Sequence, residues 1–231
     1  MRKMWHKKLS NALKGWGISL IVALLVATSI KSAIADWNDI PSGSMMPTIL
    51  IGDRIFVNKL AYDLKVPYTS FHLKKWSDPS RGDIVVFYSP QDAKRMIKRV
   101  VGLPGDTLAL HQNKLLINGR FVTYGPLARE FLDQTQPDQY SNHVFFNEKL
   151  PGQEHAVMLT PARPSLNTFE PVTIPAGRYF MLGDNRDNSA DSRFFGLVDR
   201  KLIVGRATRV VISRDGSFWH PRWSRFFKKL S

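Results

Sequence analysis

The chain has 231 residues, no cysteine and a net charge of +14 at pH 7. That length holds one apolar segment plus a soluble part large enough to bury a core, and the missing cysteine excludes thiol catalysis, disulfides and thiolate metal sites. The charge favours anionic partners; with no zinc-finger spacing and no RNP-type aromatic strand, the expected anion is phospholipid and not nucleic acid.

In chain order, Arg2, Lys3, Lys7, Lys8 and Lys14 come first, with no acid among them. Residues 1–15 are read as a basic cytoplasmic N-terminus. Residues 16–35 are mostly apolar and carry no charge apart from Lys31, and twenty helical residues rise about 30 Å, one hydrocarbon thickness. A transmembrane helix is expected there, its basic side in the cytoplasm and the rest of the chain on the outer face. Two other readings are a cleaved signal peptide ending at Ala33-Ile34-Ala35 and a core helix. Lys31 interrupts the approach to the first, and the strands that follow at once disfavour the second. The stretch from Ala35 to Ser44 reaches at most about 30 Å, so Ser44 is expected close to the membrane surface.

From Asp53 onward the pattern is mainly strand. Arg54–Asn58 and Asp83–Tyr88 are short β-branched runs, Met96–Val101 is an apolar-basic run, and Asn118-Gly119 between Leu115–Ile117 and Phe121-Val122 signals a type I′ hairpin. Residues 124–171 are rich in Pro, Gln, Asn and His and read as an insertion with long loops. Strands resume at 177–182 and 202–212. The tail at 216–231 alternates aromatics with basic residues, which suits a packed turn, a membrane interface or stacked bases. The six histidines (His6, His72, His111, His143, His155, His220) fall in no ligand spacing, so neither metal nor cofactor is expected.

Two residues carry candidate chemistry. Ser44 lies in Pro41-Ser42-Gly43-Ser44-Met45-Met46-Pro47-Thr48, and Lys98 in Ile97-Lys98-Arg99-Val100-Val101-Gly102-Leu103-Pro104-Gly105-Asp106. A serine hydroxyl needs a base, and a lysine serves as one when burial strips its proton. Ile97, Val100 and Val101 offer that burial, while strand alternation keeps Arg95 and Arg99 off the lysine. Asp184, Asp187 and Asp191 are oxygen-rich enough for a cation loop, although a turn with capping carboxylates is the preferred reading.

These blocks, with Arg81-Gly82-Asp83-Ile84-Val85-Val86-Phe87 and Gly183-Asp184-Asn185-Arg186-Asp187-Asn188-Ser189-Ala190-Asp191-Ser192-Arg193, resemble those of bacterial type I signal peptidases over most of the chain and in order. The resemblance implies a mainly β fold. One N-terminal transmembrane helix precedes a β-rich catalytic domain at 36–112 and 172–215, with a smaller β subdomain inserted at 113–171. It implies a serine endopeptidase of the bacterial inner membrane, its catalytic domain periplasmic, that removes signal peptides from secreted preproteins after Ala-x-Ala. Ser44 would be nucleophile and Lys98 general base. The Ser42 hydroxyl and the Ser44 N–H would form an oxyanion hole, Ser189 would orient Lys98 by a hydrogen bond, and Asp191 with Arg193 would support the loop. Shallow pockets would be built from Ile40, Pro41, Met45, Ile49, Met96 and Ile97. Met96 and Asn38 depart from the aromatic and apolar residues common there. The alternatives are a repressor-type Ser-Lys autoprotease, disfavoured by the apolar start where a DNA-binding module would stand, and a non-enzymatic basic lipid- or nucleic-acid-binding protein, which leaves the Ser42, Ser44, Lys98 and 183–193 blocks without purpose.

Overall fold

The computed structural model describes residues 16–24, 28, 33–66, 69, 71–127, 142–215 and 220–230. From Ala35 on, the described backbone is dominated by strands: β1 (Ala35–Asp39), β2 (Asp53–Asn58), β3 (Asp63–Lys65), β4 (His72–Lys75), β5 (Ile84–Tyr88), β6 (Arg95–Gly102), β7 (Thr107–His111), β8 (Lys114–Ile117), β9 (Arg120–Phe121), β10 (Thr123–Pro126), β11 (Val144–Leu150), β12 (Gln153–Leu159), β13 (Phe169–Thr173), β14 (Arg178–Leu182), β15 (Val198–Asp199) and β16 (Ile203–Ser213).

Seven of them form the main sheet, in the order β1-β2-β16-β5-β6-β14-β15. Its centre follows from composition. In β5, Ile84 and Val86 join one apolar cluster, with Ile55, Val57 and Val210, and Val85 and Phe87 join another, with Tyr62, Val100 and Met181. Successive strand residues face opposite ways, so an unbroken apolar run marks a strand buried on both faces. A third cluster, including Leu108, Leu110, Leu115, Ile117, Leu150, Ile174 and Phe180, lies under two smaller sheets, β13-β7-β8-β9 and β10-β11-β12.

The β8–β9 turn has positive φ at both Asn118 (51°) and Gly119 (77°), as a type I′ hairpin requires. The region expected to be loop-rich instead holds the hairpin β11–β12, two seven-residue strands paired from Val144↔Leu159 to Leu150↔Gln153. Residues 128–141 lie outside the described part. The boundaries expected at 112/113 and 171/172 fall within one four-stranded sheet, because β7 precedes the first and Thr173 of β13 follows the second.

The span expected over 16–35 also lies partly outside the described residues, as does the whole of 1–15. Residues 16–24 are helical with exposed side chains, and β1 begins at Ala35. Among the described residues no helix is long and apolar enough to cross a membrane.

Of the tail, residues 220–230 are described and pack along β16, with Val210 N–H donating to the Lys228 carbonyl and Leu230 N–H to that of Thr208. Arg225 is buried and grips Asp53 through Nε and Nη2 at 3.2 and 2.5 Å, while Nη2 also donates to the Thr48 carbonyl. Trp223 stacks near Phe226 yet stays 72% exposed. Removing one partner of a buried ion pair strands the other. Arg225→Met is therefore expected to cost about 3–5 kcal/mol, and adding Asp53→Asn to recover much of it. Urea unfolding of the single and double variants checks this; a single-variant loss within about 0.5 kcal/mol, the range of ordinary surface changes, would contradict it.

Candidate active site

Ser44 sits on the turn between β1 and β2, and Lys98 in the middle of β6. The turn is held from both sides. Met46 N–H donates to the Gly43 carbonyl, and Ile49 N–H to that of Met45. From the loop after β14, Asn185 N–H donates to the Ser44 carbonyl at 3.1 Å and Asn185 Nδ2 to the Gly43 carbonyl at 3.0 Å. Met45 and Ile49, both expected to line a pocket, are fully buried in the core behind the turn and do not line the cavity. Their side chains anchor the turn from beneath.

Residues far apart in the chain thus meet. Lys98 Nζ lies 2.7 Å from Ser44 Oγ and donates to the Ile97 carbonyl at 3.0 Å. Lys98 is 2% exposed and Ser44 9%. Burial pulls the Lys98 amine down from its ordinary value to about 8; Asp191 and Asp184 oppose the fall and Arg193 aids it. With the amine neutral, the Ser44 hydroxyl donates across the 2.7 Å contact and the nitrogen lone pair accepts.

The neighbouring arginines are kept off the amine by their own partners. Arg99, fully buried, makes two hydrogen bonds to Asp184 at 2.8 and 2.7 Å and a third to the Gly82 carbonyl. Thr48 Oγ1 donates to the same carboxylate at 2.5 Å. Burial alone would raise the Asp184 carboxyl, but the Arg99 guanidinium, together with His155 and the Thr48 hydroxyl, holds the group below its ordinary value. Arg95 pairs with Asp36 at 2.8 Å.

In the 183–193 loop, Asp191 caps the short helix Ser192–Phe195 and binds Arg193 Nε at 2.8 Å, while its other oxygen accepts from the Gly183 N–H. Arg193 also donates to the carbonyls of Leu166 and Arg186. Asp187 accepts from Ser165, Asn113 and the Thr160 N–H. Each acidic side chain of the loop therefore has a structural partner. Ser189 differs from expectation: its Oγ is buried but makes no hydrogen bond, so the bond to Lys98 is not formed. The hydroxyl stands beside the site instead, against the Cα of Gly183.

Ser44 and Lys98 border a cavity of about 240 Å³ that is also lined by Ile40, Pro41, Ser42, Val86, Met96 and Ile97. Asn38, already noted as a departure in the pocket region, lines it too, as do Asp39 and Arg95, which sequence reasoning did not assign to the pocket. Their signal was adjacency: Asn38 and Asp39 continue β1 into Ile40, and Arg95 begins β6. Beside this cavity, residues 95–98 of β6 pair with β5 on one edge only, because β14 meets β6 no earlier than Arg99. An extended peptide has backbone donors and acceptors to pair with along that edge.

A profile of the family described as signal peptidase, peptidase S26, matches residues 13–212. Signal peptidase I of Pseudomonas aeruginosa is 38% identical over 209 residues, covering 86% of this chain and 72% of that one. The Aquifex aeolicus enzyme of the same name is 34% identical, with 82% and 80% covered. A crystal structure of signal peptidase I from Enterococcus faecalis is 32% identical, covers 56% of this chain and 97% of that one, and superposes with a TM-score of 0.34.

A Cβ at Gly183 would collide with Ser189 Oγ and the Ser44 carbonyl oxygen. Gly183→Ala is expected to push the serine turn off the lysine and slow acylation of Ser44 by a serine-directed probe about a hundredfold, with the fold retained. Mass spectrometry of the labelled protein measures this, and wild-type labelling kinetics in the variant would refute it.

Proposed function

This chain belongs to the signal peptidase, peptidase S26 family, and we propose that it removes signal peptides from secreted preproteins with Ser44 as nucleophile and Lys98 as general base. The observation that carries this reading is the 2.7 Å contact between a buried lysine amine and a serine hydroxyl at the end of an apolar cleft.

The substrate chain lies extended along the free edge of β6, with small side chains before the cut seated among Ile40, Pro41, Met96 and Ile97. Bulky side chains are refused by sterics, which suits Ala-x-Ala. Lys98 Nζ takes the Ser44 proton as Oγ attacks the scissile carbonyl carbon. The oxyanion is met by the Ser44 N–H and the Ser42 hydroxyl. Lys98 then gives its proton to the departing amine, the C–N bond breaks, and an ester to Ser44 remains. Water, deprotonated by the same amine, hydrolyses it.

Anchoring belongs to the same proposal. The apolar run at 16–35, with basic residues only before it, supports a single span with a cytoplasmic start and a periplasmic catalytic part. The exposed rings of Trp37, Trp223 and Phe227 suit contact with phospholipid at an interface.

The test is cleavage of a preprotein bearing Ala-x-Ala before its mature start. Ser44→Ala and Lys98→Ala are each expected to lose about 10⁴-fold or more. Lys98→Arg is expected to be equally inactive, because a guanidinium cannot give up its proton. Since the working base is the neutral amine, kcat/KM should rise with pH up to about 8 and level off above it. Undiminished cleavage by Ser44→Ala, or a rate flat from pH 6 to 9, would overturn the assignment.

Ser42→Ala is expected to lower kcat about 10²- to 10³-fold with little change in KM, the signature of a donor used only in the transition state. Steady-state kinetics over a range of preprotein concentrations measures the split; a loss confined to KM would move Ser42 out of the oxyanion hole.

A further inference from the structure

Asn38 lines the cavity that Ser44 and Lys98 border, yet it takes no part in the mechanism above. It lies on β1 and is half-buried. Its Nδ2 is shielded from water and has no hydrogen-bond partner. The charged groups of the same wall are satisfied. Arg95 donates to Asp36 at 2.8 Å, and Asp39 accepts from Arg54 at 2.6 and 2.9 Å. A buried amide nitrogen without a partner is costly and calls for an explanation.

Strand geometry says which part of a substrate this amide faces. The last residue before the cut has its carbonyl carbon at Ser44 Oγ, beside Lys98. From Arg99 onward β14 occupies the edge of β6, at Leu182↔Arg99 and Met181↔Val100. The residues before the cut therefore run along β6 from Lys98 toward Arg95. In an extended chain the last and third-last side chains point the same way, about 7 Å apart. Two residues back from Lys98 on β6 is Met96 and the next is Arg95, both in the cavity wall. Arg95 reaches across to Asp36, and Asp36 and Asn38 share one face of β1. That face is turned toward the start of β6, so Asn38 stands beside the third-last side chain and not the last.

We infer, on the Ser44–Lys98 reading above, that Asn38 sets the choice of the third-last residue and favours a hydroxyl-bearing side chain, serine or threonine, over an apolar one of similar size. A hydroxyl both donates and accepts, so it pairs with whichever end of the amide faces the cavity. The amide swings readily, since the last torsion of an asparagine is broad. A valine would fill the space and leave the amide unpaired. A charged side chain gains no counter-ion, because Arg95 and Asp39 already have theirs. An apolar residue at position 38 would reverse the choice, since the substrate hydroxyl would then be the group without a partner.

The experiment uses the full-length protein in detergent and two preproteins that differ only in threonine or valine at the third-last position, with alanine last. The readout is the ratio of their kcat/KM values, which isolates the hydroxyl and cancels the fraction of enzyme that is folded. Threonine is expected to lead valine by about twofold to tenfold, the net worth of one hydrogen bond. Asn38→Leu should reverse the order, valine leading by about fivefold or more, because the hydroxyl is then buried without a partner. Asn38→Ala, which adds no bulk to the wall, should abolish the threonine preference. Exchanging alanine for serine at the last position is the control, and that ratio should be the same in wild type and Asn38→Leu. A threonine-to-valine ratio that neither variant moves, with Ser44→Ala inactive, would overturn the role of Asn38 alone, as would a shift confined to the last position. Cleavage by Ser44→Ala at the wild-type rate would instead overturn the active-site assignment and this inference with it.

Discussion

A lysine ammonium removed from water without a matched anion costs several kcal/mol, and the usual relief is to lose the proton. The site depends on that penalty. Lys98 is 2% exposed, its nearest polar partners are a neutral hydroxyl and a carbonyl, and the two closest carboxylates are each bound to an arginine. Asp184 and Asp191 still pull the amine back toward charge, and burial wins, leaving it near 8. Freed of their arginines, both carboxylates would favour the charged amine more strongly and hold it as a cation near neutral pH.

The arginines therefore serve the lysine at one remove. Arg99 ties β6 to Asp184, and through that carboxylate to Thr48 on the serine turn. The backbone of Asn185 holds Ser44 from the same loop. Behind them, Glu148 on β11 accepts from Arg186 and from the Tyr124 hydroxyl. Burial opposes the Glu148 charge, yet Arg186 and His155 keep the carboxyl far below its usual range. His155 itself is pushed toward neutrality by burial and by Arg99. The small β10-β11-β12 sheet is thus joined by buried charge to the loop that holds the serine turn. Such pairs add little net stability, but they are costly to break singly, so they fix position.

This balance explains which features could be read from the sequence. β5 was legible because it is an apolar, β-branched run, and the β8–β9 turn because Asn-Gly has few other uses. Ser44 and Lys98 were legible because each lies in a distinctive local sequence beside groups able to bury it. β11 and β12 were not, since Glu148 and His155 break the apolar pattern at buried positions. A charge satisfied only by an arginine far along the chain looks local and exposed until the fold closes. The same limit applied to Met45 and Ile49, whose place in the core depends on how the turn is pressed down by loop 183–193. The Ser189 bond was expected from motif position, which fixes a residue's neighbourhood but not its rotamer.

The central claim is that Lys98 is held as a neutral base beside Ser44, and the most direct test is to titrate that amine itself. Nitrogen-15 label at Lys98 Nζ, assigned by comparison with Lys98→Arg, would be followed by NMR from pH 6 to 11. The account predicts a midpoint near 8, more than two pH units below the ordinary lysine value of about 10.4. A midpoint at or above 10 would contradict it, because a permanently charged amine could not take the serine proton at neutral pH.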